Sequence, residues 1–238
     1  EKLKKILPDR KSNASYDSMQ FVLALMSGFW EGYDCLEDIE KFEDNPDIYC
    51  RLEGLPSARA IGDYLRSFTE EDLDKLNSFL TEQGFNARLA LAPDSPIILD
   101  QDSTAHPQSG DKIEGLEQNY KGEWCLDSLD SYDELGFAYG FKLRSGATFS
   151  SIGAEDEIKR IFSRLKHSDK KYYRAVSAFC NERVIRECLN QGAFFTITAH
   201  DNINWKDKTK EITNWEPWVY SEEDIKKAEK RKKKLPEV

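Results

Sequence analysis

Asp100 and Asp102 stand two residues apart, immediately after the short apolar run Pro96-Ile97-Ile98-Leu99. A run of that kind reads as a buried strand, and residues two apart on a strand project from the same face. Two carboxylates so close repel each other unless hydrogen-bond donors or a cation compensate them. A site offering only oxygen ligands suits Mg2+ or Mn2+. The same residues admit a plainer reading, in which one aspartate caps the turn at Ser103-Thr104 and the other is solvated. Other metal chemistry has less support. His106, His167 and His200 lie far apart with no ligand spacing, and Cys35, Cys50, Cys125, Cys180 and Cys188 form an odd set without a Cys-x-x-Cys pair. Neither a disulfide framework nor a zinc site is indicated, and the thiols are expected to be reduced and mostly buried.

Nucleic acid is the other chemistry that the residues raise. The net charge of −10 disfavours it, but the charge is unevenly spread: 24 basic and 36 acidic residues precede Lys206, whereas ten basic and eight acidic residues follow from there. Lys226, Lys227, Lys230, Arg231, Lys232, Lys233 and Lys234 fall within nine positions, opposed only by Glu229. Lys230, Arg231 and Lys232 are therefore candidate phosphate contacts, although a solvated helix or flexible end explains such a run as well. Trp215, Trp218 and Tyr220 could stack on unpaired bases, but aromatics at strand spacing more often pack an edge strand. Segment 111–134 holds eight acids and two bases and reads as an ordered surface excursion, a poor surface for DNA.

The elements that position these residues follow from hydrophobic periodicity. A chain of 238 residues, 39% hydrophobic and 33% charged, accommodates one large domain or two unequal ones. No apolar run approaches the roughly 20 residues of a membrane span. The longest, at 19–30, is broken by Gln20, Ser27 and Gly28, and the lysines at 2, 4 and 5 precede no signal-peptide core, so a cytoplasmic protein without membrane contact is expected.

Residues 1–92 read as helical. Met19, Val22, Leu23 and Met26 would line one helix ended by Gly28 and Gly32, and Leu36, Ile39 and Phe42 a shorter one. Ser57 would cap a helix buried through Ile61, Tyr64, Leu65 and Phe68, and Thr69, with Asp72, one lined by Leu73, Leu76, Phe79 and Leu80 as far as Gly84. Short helices joined by tight turns are the material of a helix-turn-helix, which would make Arg59 and Arg66 DNA contacts. A small bundle with solvated arginines is the competing reading, because 34–53 holds eight acids against two bases.

After the 93–96 linker the period changes, with strands expected at 96–99, leading to Asp100 and Asp102, and at 135–143, 147–151, 171–176 and 193–199, and helices at 154–165 and 181–190. The expected divisions are 1–92 helical, 93–204 a mixed α/β layer, and 205–238 a charge-rich segment with the basic tail.

Four segments carry a resemblance. Residues 99–104 (LDQDST), 143–153 (LRSGATFSSIG) and 173–181 (YRAVSAFCN), with 55–68 (LPSARAIGDYLRSF) in the helical part, resemble the DDE transposases of bacterial insertion sequences. The resemblance implies a helical N-terminal region before a ribonuclease H-like mixed sheet flanked by helices, in which three acids bind two divalent metals, Mg2+ or Mn2+. It also implies DNA partners, namely element ends and target DNA, and a homo-oligomer. The first acid of the family maps to Asp102, beside which Asp100 remains the accessory metal-ligand candidate that the spacing gives. The second, in an Arg-Ala-Asp-Ser pattern, falls on Val176, which has no oxygen to offer; Asp169 and Asp201 are the nearest other aspartates and match no motif. The third lies on a helix beyond a β-rich insertion, and 205–238 resembles the start of that insertion, as in a C-terminally truncated copy. Glu222, Glu223 and Glu229 read as solvated. The implied reading is a transposase-like protein, catalytically inactive at Val176. Its rivals are a DNA-binding or oligomerising remnant and a decayed gene product. If the resemblance holds, the Asp102 strand must lie beside the 171–176 strand.

Overall fold

A computed structural model of the chain describes residues 1–10, 14–45, 54–93, 95–110, 112–165, 170–200, 211–214 and 219–230. Glu1–Thr198 forms one unit and Ala199–Val238 a second. In the second unit the described helix is Glu222–Lys230. No described helix is long and apolar enough to cross a membrane.

The first unit begins with α1 (Lys2–Ile6), α2 (Ser18–Glu31), a 3-10 stretch at Leu36–Asp44, α3 (Ala58–Leu65) and α4 (Glu70–Leu91). The caps are those the sequence announces. The Ser57 side chain accepts from the Ala60 N–H, and Thr69 and Asp72 satisfy each other's backbone in a capping box. Asp17 and Gln20 form a second box on α2.

The buried faces depart from expectation. Helix α2 buries Ser18, Phe21, Ala24 and Gly28, whereas Leu23 and Met26 of the expected stripe are exposed. Phe21 decides the outcome by stacking on Tyr64 of α3 at 4.6 Å, so the aromatic goes inside and Leu23 and Met26 turn outward. Gly28 lies within the helix because Ile39 packs on it; a Cβ there would come within 3.2 Å of Ile39 Cγ1. Leu65 is likewise exposed.

Helix α4 does not stop at Gly84 but continues to Leu91, and the residues it buries fully are Thr81, Gly84 and Arg88. These lie on the stripe that meets the sheet, continued by Asn77. Asn77 Nδ2 donates to the Phe141 carbonyl and the Phe141 N–H donates to Asn77 Oδ1, both at 2.9 Å, so one side-chain amide pairs a strand edge. Thr81 Oγ1 donates to the Tyr139 carbonyl at 2.6 Å. Gly84 permits the close approach: a Cβ would sit 2.7 Å from the Ala138 carbonyl oxygen. A polar docking stripe leaves no apolar period, which is why Leu73 and its neighbours on the expected stripe stay exposed or half-buried.

Among the described residues the strands that follow are β1 (Ile97–Pro107), β2 (Glu117–Gln118), β3 (Trp124–Asp133), β4 (Ala138–Ser145), β5 (Lys171–Ala175) and β6 (Phe194–Ile197). The path runs β2-β3-β1-β5-β6, with β4 also paired to β3. β1 is antiparallel to β3 and parallel to β5, which is parallel to β6. The expected adjacency of the Asp102 strand and the 171–176 strand is present. Helices α5 (Ala154–Phe162) and α6 (Glu182–Asn190) bury Ile158, Ile161, Phe162, Val184 and Cys188 against Leu99, Leu129, Tyr139 and Tyr173 of one sheet face. Burial in this core pushes the Cys188 thiol up to about 12.

Two sequence expectations fail in this layer. The supposed surface excursion contains β3, a central strand whose inward positions include Asp127, Ser131 and Asp133, polar residues that conceal the alternation. The supposed strand at 147–151 is a set of turns held by Arg144. That guanidinium pairs with Asp127 and donates to the carbonyls of Ser150 and Ile152 at 3.1 and 2.7 Å. Gly146 is required where this turn crosses β3, since a Cβ would lie 2.0 Å from the Cys125 carbonyl oxygen.

The buried face also holds an ion pair. Arg88 on α4 and Asp133 at the end of β3 are 2% and 0% exposed and meet at 2.7 Å. Asp133 further accepts from the N–H groups of Leu135 and Phe137 and the Tyr139 hydroxyl. Removing either partner strands a buried charge, so Arg88→Ala or Asp133→Ala is expected to cost about 3–5 kcal/mol, read from the urea midpoint. Gly84→Ala should also lower that midpoint, by about 1–3 kcal/mol of overpacking at the Ala138 carbonyl.

Candidate functional site

The strand alternation of β1 sends Leu99 and Gln101 into the helix-covered core and leaves Asp100, Asp102 and Thr104 on the opposite face. Register then determines what they meet. Asp100 lies opposite Tyr132 of β3 and Arg174 of β5, Asp102 opposite Asp130, and Thr104 opposite Ser128. Arg174 in turn pairs with Thr196 of β6. Asp100, Asp102, Asp130, Tyr132, Arg174, Val176, Thr196 and Thr198 line one open cleft of ≈ 640 Å³.

The two aspartates of β1 have different partners. Asp100 receives both Nε and Nη2 of Arg174 at 2.7 Å, a bidentate pair, and its carboxylate holds the Arg174 guanidinium above its usual pKa. Asp102 is exposed and accepts one hydrogen bond, from the Ser103 N–H at 2.8 Å. Val176, 53% exposed, follows β5 directly and starts the 3-10 turn Ser177–Phe179. The structure thus brings Asp102 and position 176 to one cleft.

Asp130 is the residue that sequence reasoning missed. Its Oδ2 accepts from Thr104 Oγ1 at 2.8 Å, while its Oδ1 is buried and has no hydrogen-bond partner among the described residues. Directly opposed residues on an antiparallel pair hold their Cβ atoms about 4.5–5.5 Å apart, so Asp130 and Asp102 repel each other. Tyr132 packs edge-on against Phe141 with ring centroids 5.4 Å apart, and burial followed by the Asp130 charge pushes its phenol pKa up. Within 111–134 the signal was slight. A proline-free run of thirteen residues lies between Gly122 and Gly136, but its acids masked it as a strand.

The other sequence-level candidates lie elsewhere. Arg59 and Arg66 are exposed on and just after α3, Arg66 pairing with Asp63 at 2.7 Å, and neither lines the cleft. Lys230 is exposed at the end of the second unit's helix; Arg231 and Lys232 lie outside the described residues, as do Asp169, Asp201, Trp215 and Trp218. Glu222 and Glu229 are exposed. His106 Nε2 and Ser128 Oγ are 2.8 Å apart, a cross-strand contact.

Residues 1–232 match the family model described as Transposase DDE domain group 1. The chain belongs to the DDE transposase family. No curated protein matches it. Among solved structures it is similar to the piggyBac transposase synaptic complex with hairpin DNA, at 11% identity and a TM-score of 0.38, over 91% of this chain and 50% of that one. It is also similar to the Mos1 strand transfer complex, at 10% identity and a TM-score of 0.28, over 94% and 73%. A third is the Mos1 mariner paired end complex with Mn, at 10% identity and a TM-score of 0.30, over 94% and 74%. The chain spans half the length of the piggyBac transposase it matches. The mixed sheet flanked by helices agrees with the layout expected from the sequence resemblance.

The opposed carboxylates have a measurable consequence. Asp130→Asn, which removes one charge and supplies an amide that can donate to Asp102, is expected to raise the thermal midpoint measured without divalent ions, equivalent to about 0.2–1 kcal/mol.

Proposed function

We propose that this chain acts in DNA transposition as a transposase-family core that engages DNA but does not cut it. One observation carries the reading. Asp102, which matches the first family acid, and Val176, at the place of the second, line the same cleft from neighbouring strands. Family membership supplies the substrate class, and the substitution supplies the deficit.

The residues fit a divalent ion in part. Asp102 is exposed and keeps an oxygen without a hydrogen bond among the described residues, which suits an Mg2+ or Mn2+ ligand. Bound in pairs, such ions stabilise the attacking and leaving oxygens of a phosphodiester displacement. Val176 offers only carbon on its side of the cleft, and Asp100, a candidate accessory ligand by its spacing from Asp102, is engaged by Arg174. Arg174 therefore acts as a tie between β1 and β5 that holds position 176 beside Asp102. No carboxylate from a helix lines the cleft among the described residues.

DNA contact on this reading is electrostatic. The cleft carries three aspartates, so phosphate must be met mainly at basic positions outside it, with Lys230, Arg231 and Lys232 of the tail and Arg59 and Arg66 of the helical region as the proposed contacts. Affinity should fall steeply as salt rises, because counterion release dominates. Deleting 226–234 should remove most of it. Binding that survives the deletion and is lost with Arg59→Ala and Arg66→Ala would move recognition to α3.

The decisive assay is Mn2+-dependent nicking of a labelled duplex carrying the element's own ends. The unaltered chain is expected to leave the duplex intact, and Val176→Asp alone to leave it intact as well, since the new carboxylate completes one side of the cleft only. Nicking by the unaltered chain that disappears with Asp102→Asn would overturn the inactive reading. It would show that another group stands in for the second acid.

A further inference from the structure

Helix α2 is apolar on two sides and packed on one. Its inner side sets Phe21 on Tyr64 and Gly28 on Ile39, with Ala24 buried between them. With about 3.6 residues per turn, Met19, Val22, Leu23, Met26, Phe29 and Trp30 fall together on the outer side. Of the fourteen residues of the helix only the last, Glu31, is charged. A helix that is hydrophobic all round belongs in an interior, and this one is covered on one side only. Exposure of the outer side rises along the helix: Met19 and Val22 are half-buried, and Leu23, Met26, Phe29 and Trp30 are 41%, 60%, 74% and 90% exposed. Scattered apolar residues on a surface need no explanation, whereas a contiguous face of them marks a place where something docks.

We propose that two copies of this chain pair through this face, α2 against α2, antiparallel about a two-fold axis. Three properties of the face select that occupant. The first is taper. Laid antiparallel, each helix sets its protruding Trp30 over the recessed Met19 of the other, and the two Met26 side chains come within one turn of each other at the axis. An identical face turned through a two-fold always tapers the opposite way, which is the self-complementarity that such an interface requires. The second is charge. The chain carries a net charge of −10, so two copies repel over most of their surface and approach best where charge is absent. A partner recognised by charge would find nothing here to pair with. The third is area. A phenylalanine or tryptophan buries about 150–250 Å2, so Phe29 and Trp30 with Met26 and Leu23 offer roughly 500 Å2, and two copies remove about 1,000 Å2 from water, the least that a specific interface needs. This pairing lies outside the proposed reading of the cleft and does not depend on it.

The test is sedimentation equilibrium of the full chain over a concentration series, without DNA. A monomer–dimer equilibrium is expected, with a dissociation constant of about micromolar order because the interface is at the small end of the range. Salt should tighten it, since screening weakens the repulsion between the two acidic copies while the apolar contact loses nothing. Trp30→Ala should weaken pairing at least tenfold. Met26→Lys and Met26→Glu should each be monomeric alone and should pair when mixed in equal amounts, because opposite charges then meet at the axis. Thermal midpoints at low concentration serve as the folding control, and the Met26 variants should match the unaltered chain there, the side chain being exposed. A monomer at every concentration would overturn the proposal and leave the face to another protein or to residues of this chain outside those described. A dimer that all three substitutions leave intact would overturn it by moving the contact elsewhere. A dimer lost in both Met26 variants and not restored on mixing would overturn the two-fold arrangement.

Discussion

Arg88 has to be buried for the first unit to take the form it does. Its guanidinium sits in the last turns of α4 and reaches Asp133, Glu134 and the Pro96 carbonyl. Asp133 collects the backbone N–H groups of the β3–β4 turn, and Glu134 accepts from the Ile98 N–H at the start of β1. One cluster therefore fixes the end of a helix, the entry of the first long strand and the turn that reverses the next. A charge this deeply buried is tolerable only because every one of these groups finds a partner. The registers of β1 and β3 are counted from this node. A slip of one residue in either strand would send Asp102 or Asp130 into the helix-covered core.

The sheet separates two kinds of polar residue by its two faces. On the covered face, polar side chains are joined to one another across strands. The Tyr173 hydroxyl donates to Gln101 Oε1 at 3.0 Å, and Gln101 Nε2 donates to Ser131 Oγ at 3.1 Å, linking β5, β1 and β3 through the core. Burial raises the Tyr173 phenol pKa further, so it remains a neutral donor there. Ser103 and Arg144 similarly engage Asp127. On the open face Arg174 pairs with Asp100 and Thr104 donates to Asp130 Oδ2, while Asp130 Oδ1 has no hydrogen-bond partner among the described residues. The cross-linked covered face gives the sheet one register.

Local chemistry was legible in the sequence, and tertiary context was not. The caps at Ser57 and Thr69 and the helix after Asn181 follow from side chains that bond their own backbone, so three or four residues suffice to see them. The resemblance in four ordered segments placed Asp102 beside position 176, and the β1–β5 pairing agrees. Three features escaped for a common reason. Helix α4 docks through Asn77, Thr81, Gly84 and Arg88, β3 buries Asp127 and Asp133, and Arg144 holds a turn that its apolar neighbours disguised as a strand. In each, burial is achieved by polar residues that carry their partners with them, which hydrophobic periodicity reads as surface. Asp130 was lost with β3, since a carboxylate means something only once the residue opposite is known.

Asp100 and Asp102 are chemically alike and lie on one face of one strand, yet the fold gives them different work. Arg174 takes Asp100 because the parallel register of β1 and β5 sets those two residues side by side, and a bidentate pair then resists sliding of one strand along the other. Asp102, two residues further on, lies beyond the reach of that pair and faces Asp130 instead. The strand geometry around position 176 is consequently independent of what occupies it. Val176 leaves the backbone extended, with φ −78° and ψ 173°, and its side chain at the cleft. On the proposed reading, valine at this position subtracts a ligand atom and leaves the scaffold that would have presented it. Loss of chemistry at such a site need not carry loss of structure, because the residues that bind the strands together and those that would bind the ion are different residues on the same strands.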